Sequence, residues 1–433
     1  MQTSIQKAGE DNHTSSKKYL LPFILIISLF FLWGMAHNLN GVLIPHLKKA
    51  CQLNNSQSAL IDTSIFLAYF IMALPAGYLL QKIGYKLSII IGLFAFSIGA
   101  FLFIPAANMR VYELFLIALF IIGCGLAILE TAANPYTTLL GPPESATTRI
   151  NLAASFNGLA AMLAPILGTI FILSGKNYSE HEMKLMAESD RLAYLMSEAS
   201  SVKQPYLILG SILLVVAVLF IFIKLPEIKS EQHNDEKKIK RQTIFSVLKN
   251  RNLAYAVLAQ FFYVGAQVCV TSFFIMVAQQ GAGVDEKVAG YALGIYGFLF
   301  MIGRFIGTFF LKYITARHML TICAAAAILL SLIAVSGSGM IVLYSLGGLG
   351  LFMSIMFPTI FSLGILGLGE ETKSGSSWLI MSIVGGAIFP FLMGEIVDVT
   401  NDMQLGYIVP FVCYMVILWY ATLGYKNTSN LAR

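Results

Sequence analysis

The sequence predicts an all-α membrane protein of twelve transmembrane helices arranged as two six-helix bundles. Three observations carry this. The 433 residues are 57% hydrophobic and only 12% charged, against about 25% charged in a soluble domain, and the mean hydropathy is +0.77. Apolar stretches recur twelve times, each near the ~20 residues that a helix needs to cross a bilayer. One long polar segment follows the sixth stretch and divides the chain in two.

A polar tail, 1–18, precedes the first span, 20–47. That stretch is too long for the core of a signal peptide and shows no convincing cleavage site. Spans follow at 57–81, 87–107, 111–140, 150–174 and 205–224, which completes an N-terminal bundle over 19–224. Between the fifth and sixth spans, residues 176–203 carry more acids than bases and are expected to form a solvated, partly helical loop. The linker, 225–251, holds Lys237, Lys238, Lys240 and Arg241. The C-terminal bundle, 252–425, takes spans at 252–279, 288–312, 318–336, 340–368, 374–398 and 405–425, and a short tail, 426–433, ends the chain. Several spans exceed 25 residues, so tilts or breaks are expected.

Charge sets the orientation. With the N-terminus inside, the inner loops and tails carry 19 Lys and Arg, the outer loops 8, and Arg304 stays in a span, as the positive-inside rule requires. Both termini are then cytoplasmic. The net charge of +6 therefore reads as topology rather than nucleic-acid binding. Basic inner loops and the lack of an appended domain suit a bacterial inner membrane, with lipid as the solvent and a monomer as the working unit. The five cysteines show no disulfide or metal spacing. There is no metal cluster, nucleotide loop or nucleophile triad, so no cofactor is expected and an enzyme or ATP-driven pump is disfavoured.

The halves look alike. Gly77–Lys82 (GYLLQK) matches Gly307–Lys312 (GTFFLK), Pro135 matches Pro358, and Pro165 matches Pro390, at offsets of 223 to 230 residues. Paired six-helix bundles of this kind hold their substrate near the midplane between the halves.

Glu130 is the most informative residue. It lies deep in the fourth span, where a carboxylate costs about 2.5–3.5 kcal/mol on insertion scales. Asn134 falls one turn away on the same face, and Pro135 removes a backbone donor. An acid, an amide and an irregular backbone on one face suit a polyhydroxylated ligand plus a proton. A protonated acid gluing two helices is the plainer alternative. In the first span His37, Asn38 and Asn40 cluster, and His37 brings a ring that ordinarily titrates near neutral pH, or one merely bonded to a neighbour. Asp62, early in span two, should share a depth with Gly41, as a second acid or as an interfacial, water-facing residue.

Asn157 in span five, and Gln260, Tyr263 and Gln267 on one face of span seven, add amides and a ring of the sort sugars use. Phe273, Phe274, Phe357 and Trp378 are candidate platforms, each alternatively core packing. Gly77, Lys82 and Lys86 in the turn after span two, and Arg304 beside Gly303 and Gly307, read as parts of an inner gate.

FFLWGMAHNLNGVLIPHL (30–47), LETAANP (129–135), NLAASFN (151–157), AQFFYVGAQ (259–267) and FPTIFSLG (357–364), with the GYLLQKIGYK turn, resemble the fucose permease branch of the major facilitator superfamily. That branch consists of proton-coupled sugar importers. The resemblance implies that Glu130 couples protonation to sugar binding and that Asn38 and Asn157 lie at the sugar cavity. It also implies a close-packing role for Gly77. The chain departs from the branch at Gly41, where fucose permease has an acid, at Phe357, where it has Tyr, and at Ala154, where it has Gln. Such losses change which hydroxyls are read. The expected activity is import of a monosaccharide (fucose-like, glucose/galactose or N-acetylglucosamine) with a proton, sodium remaining open as the ion. A proton-coupled exporter of small organic compounds and a non-transporting sugar sensor are the alternatives.

Overall fold

The structure, a computed structural model, describes residues 2–140, 146–175, 178, 180–223, 244–368 and 372–425. Among these residues there are twelve helices long and apolar enough to cross a membrane. They are α1 (Leu21–Cys51, within a helix that starts at Gln2), α2 (Asn55–Leu80), α3 (Lys82–Met109), α4 (Tyr112–Thr137), α5 (Leu152–Phe171) and α6 (Glu188–Phe222) in the first half. The second half holds α7 (Arg251–Ala282), α8 (Glu286–Phe310), α9 (Ala316–Ser336), α10 (Met340–Ile365), α11 (Gly375–Thr400) and α12 (Met403–Gly424). Most of the expected linker, 224–243, and the tail 426–433 lie outside the described residues. A short helix, Ile244–Lys249, leads into α7.

Local chemistry sets the element ends. Asn54 and Gln57 form a reciprocal capping box at the start of α2. Asn250 caps α7 and Thr315 caps α9. The chain bends near the start of α3, where Gly84 supplies a positive φ of 78°. Pro358 cannot donate to the carbonyl of Ser354, and α10 accordingly breaks into Met340–Met353 and Met356–Ile365. The segment between the fifth and sixth expected spans, 176–203, is helical in part as expected but is not fully solvated. Glu188–Ser201 is a helix packed on α1, with Leu195, Glu198 and Ala199 buried. One side of it is enclosed by protein and the other faces outward.

The halves meet through α1 against α7, α2 against α11 and α5 against α8. On α8, Gly290, Gly294 and Gly297 face Thr169, Ile166 and Ala161 of α5 so closely that any Cβ would overlap them. Small residues spaced this way let two helix backbones touch in a bilayer. Contact is tight at the end remote from the linker, where Asp398 of α11 bonds Asn55 and Ser56 of α2. Towards the linker end the halves part around a central space.

Candidate functional site

Two cavities fill that space. One, of about 640 Å³, is walled by α2, α4, α10 and α11 and reaches Leu74. The other, of about 660 Å³, is walled by α1, α4, α5, α7, α8 and α10 and reaches Lys312. Glu130 and Phe357 line both.

Glu130 is placed by α4, which continues as a helix through Pro135. Its Oε1 accepts a 2.5 Å hydrogen bond from the hydroxyl of Tyr69 on α2. Among the described residues no ion pair includes it. A lone carboxyl with one neutral donor can exchange a proton without breaking a salt bridge. Asn134 and Thr131 share the larger helix face with it on the first cavity.

The second cavity gathers His37, Asn38, Asn157, Tyr263, Gln267, Phe357 and Arg304 around Glu130. Asn38 donates its amide N–H to the carbonyl of Gly34 at 2.7 Å, which commits a donor to its own helix. The Tyr263 hydroxyl donates 2.9 Å to the Met353 carbonyl, next to the break in α10. Tyr263 thus offers the cavity its ring, stacked edge-on to Phe357 at 6.1 Å, rather than its hydroxyl. The guanidinium of Arg304 lies 5.2 Å from the Phe300 ring centroid, and its Nε has no hydrogen-bond partner.

Other expected residues sit elsewhere. Gln260 is fully buried, lines neither cavity, and neither of its amide atoms has a partner. Phe273 and Phe274 are core residues, and Trp378 lines neither cavity. Asp62 occupies a separate pocket beside His37 and Gln267. It is 2% exposed, so the water-facing alternative does not apply here. A Cβ on Gly77 would meet nothing within 4 Å; the close approach that the resemblance implies is missing in this arrangement because the halves have separated at that end. Lys82 is exposed, and Lys86 donates 2.9 Å to the carbonyl of Ile221, bracing α3 on α6 within one half.

Several participants carry no signal in the sequence reading. Tyr69 reads as one more aromatic in an apolar span. Lys49 is 3.0 Å from Glu198 and 3.3 Å from Glu286, and the His46 ring contacts Glu198 and Ser201. These contacts join residues far apart in sequence, and the acids of 176–203 read only as part of a solvated loop.

Residues 24–390 match the Major Facilitator Superfamily. The chain is 40% identical over 435 residues to the L-fucose-proton symporter of Escherichia coli (strain K12), covering 99% of each protein. It is 41% identical over 416 residues to a glucose/galactose transporter of Brucella abortus biovar 1 (strain 9-941), covering 96% of each. A crystal structure of an MFS transporter, FucP, in the outward conformation is 40% identical and superposes with a TM-score of 0.70 over 95% of this chain and all of that one.

Proposed function

The chain belongs to the Major Facilitator Superfamily, and from that premise we propose that it imports a monosaccharide together with a proton by alternating access. One observation carries the reading: Glu130, without a cationic partner among the described residues, is shared by both central cavities and sits among amides and aromatic rings. The relatives named for fucose, glucose and galactose support a hexose or deoxyhexose as substrate.

The six-helix units 19–224 and 252–425 rock about the site, joined by 225–251. The linker and both termini face the cytoplasm of a bacterial cell, and the monomer is the transporting unit. The halves are closed at the outer end and parted at the inner one, so this is an inward-facing arrangement. A TM-score of 0.70 at 40% identity to an outward structure suits a rigid rotation of the halves between states.

In the cycle, Glu130 takes a proton while the cavity faces outward. Sugar hydroxyls then bond Asn38, Asn157 and Gln267, with Phe357 and Tyr263 against the apolar face of the ring. Rocking opens the inner side. Glu130 gives up its proton there, helped by the Tyr69 hydroxyl, which stabilises the carboxylate by donation. Lys82, Lys86 and Arg304 serve the inner gate when it closes. The sugar read differs from that of the fucose permeases where Gly41, Ala154 and Phe357 have lost polar groups.

The test is uptake of a sugar panel into proteoliposomes, with an imposed proton gradient, a sodium gradient, or none. Wild type should accumulate one sugar under the proton gradient. Glu130→Gln should exchange that sugar across the bilayer yet fail to accumulate it. Accumulation by Glu130→Gln would sink the mechanism, and a sodium-only response would reassign the ion.

A further inference from the structure

Asp62 lies in a pocket of about 50 Å³ where α1, α2, α5, α7 and α8 converge, on the side of the central cavity remote from the linker. Its Oδ1 accepts from the amide of Asn40 at 3.4 Å and its Oδ2 from the hydroxyl of Ser272. Asn40 belongs to α1 and Ser272 to α7, so one carboxyl ties the two halves together. No ion pair reaches it among the described residues. Asn40 is 4% exposed, and its Oδ1 has no hydrogen-bond partner.

Two deficits therefore adjoin. A buried carboxylate with two neutral donors, one of them distant, is poorly compensated. Next to it an amide oxygen has nothing to accept from. Both are relieved by the same thing, a positive charge among Asp62, Asn40 Oδ1 and Ser272 Oγ. An all-oxygen set of this kind suits a hard monovalent ion, and the space admits one ion or one water. Parting the halves would pull Ser272 away and let water solvate the bare carboxylate. Closing them strips that water.

We propose that this pocket binds one monovalent cation, a proton or a sodium ion, and that the halves close at the end remote from the linker only once it is bound. The proposal rests on the alternating-access reading. It is separate from Glu130, which faces the central cavities. The other titratable groups around Asp62 are His37 on α1, Tyr112 on α4, Cys269 on α7 and Tyr296 on α8, with none from the α5 wall. Of these, His37 alone ordinarily titrates near neutral pH.

The experiment measures the distance across that end by pulsed electron resonance on the full chain in bilayers. Labels go at Asp190 and Asp285, exposed residues of opposite halves, through encoded keto amino acids that leave the five native cysteines untouched. A Glu130→Gln background removes that titration. Acid should raise the ratio of closed to open, by up to about tenfold per pH unit, the limit for one linked proton. A shift with sodium at fixed pH would identify sodium; a shift with pH in its absence identifies the proton. Asp62→Asn, neutral at all pH, should stay closed and respond to neither. If Asp62→Asn responds as its parent does, or if His37→Gln abolishes the response while Asp62→Asn keeps it, the proposal is overturned. A distance fixed in every variant and condition would overturn it together with the alternating-access reading.

Discussion

Asp398 accepts hydrogen bonds from both the backbone N–H and the hydroxyl of Ser56, at 2.8 and 2.7 Å, although the two residues lie in opposite halves of the chain. Its other oxygen accepts from the backbone and side-chain N–H groups of Asn55, at 2.8 and 2.7 Å. One carboxylate of α11 thus satisfies the start of α2, whose first N–H groups have no helical partners. Removing it leaves those donors to water only if the halves part. Asp398→Ala should shift the balance between closed and open by about 1–3 kcal/mol towards open. A cysteine in place of Thr63, which bonds the Ala387 carbonyl across the same contact, would then label faster with an impermeant maleimide. An unchanged rate would deny Asp398 this role.

Tyr69→Phe leaves Glu130 with its position but without its donor. Proton release becomes harder by about 0.5–1.5 kcal/mol, the net worth of one hydrogen bond. Gradient-driven uptake should slow by roughly two- to tenfold, while exchange of sugar across a bilayer with no gradient changes less. Equal slowing of both would mean that Tyr69 supports the sugar site instead.

Lys49 holds two buried acids apart, Glu198 of its own half and Glu286 of the other. Lys49→Ala leaves both carboxylates facing each other without a cation, a loss of up to about 3–5 kcal/mol for a buried pair stripped of one partner. Glu286→Gln keeps the Lys49–Glu198 pair, leaves no charge unpaired and should cost less. Thermal unfolding in detergent should therefore rank Lys49→Ala well below Glu286→Gln. The reverse order would show that the pair across the halves dominates.

Gly77 faces open space here, so a bulky side chain there is accommodated in the inward-facing arrangement. It would obstruct whatever close approach the opposite arrangement makes. Gly77→Leu should keep sugar binding from the inner side of inside-out vesicles and lose uptake from the outer side by tenfold or more, roughly what ~1.4 kcal/mol or more of clash produces. Undiminished uptake would show that Gly77 never meets another helix.

The twelve spans were legible because lipid demands long apolar helices, and that demand is written locally in the chain. Glu130 was legible for the same reason: a charge in such a helix stands out. Its partner was not, since Tyr69 looks apolar and meets Glu130 only through tertiary packing. Helical spacing grouped Gln260 with Gln267 on one face of α7, and they are seven residues apart. Most of α7 is enclosed on all sides, however, so sharing a face decides little about which neighbours a residue meets. Gln267 reaches the cavity, whereas Gln260, nearer the linker end, is enclosed by protein. Asp62 could be placed at the depth of Gly41 from chain direction alone, and both line one pocket. Its bond to Ser272 joins residues 210 positions apart, a pairing that only the docking of the halves creates. The helix 188–201 shows the converse. Its polar sequence suggested solvent, but Leu195, Ala199 and the paired Glu198 bury one side of it.

The glycines of α8 that meet α5 have a kinetic meaning as well as a steric one. Along Gly290, Gly294 and Gly297 α8 presents no side chains of its own, and Thr169, Ile166 and the Ala161 backbone of α5 lie directly against it. Among the described residues no ion pair lies along this seam to be broken when one helix rolls or slides on the other. The cost of leaving the contact is spread over many weak dispersion contacts, which re-form as quickly as they are lost. Such a seam behaves as a bearing: it holds the axis of motion in place throughout the cycle. The polar bonds that hold or release a given state lie away from this seam, where Lys49, Asp398 and Asp62 reach across.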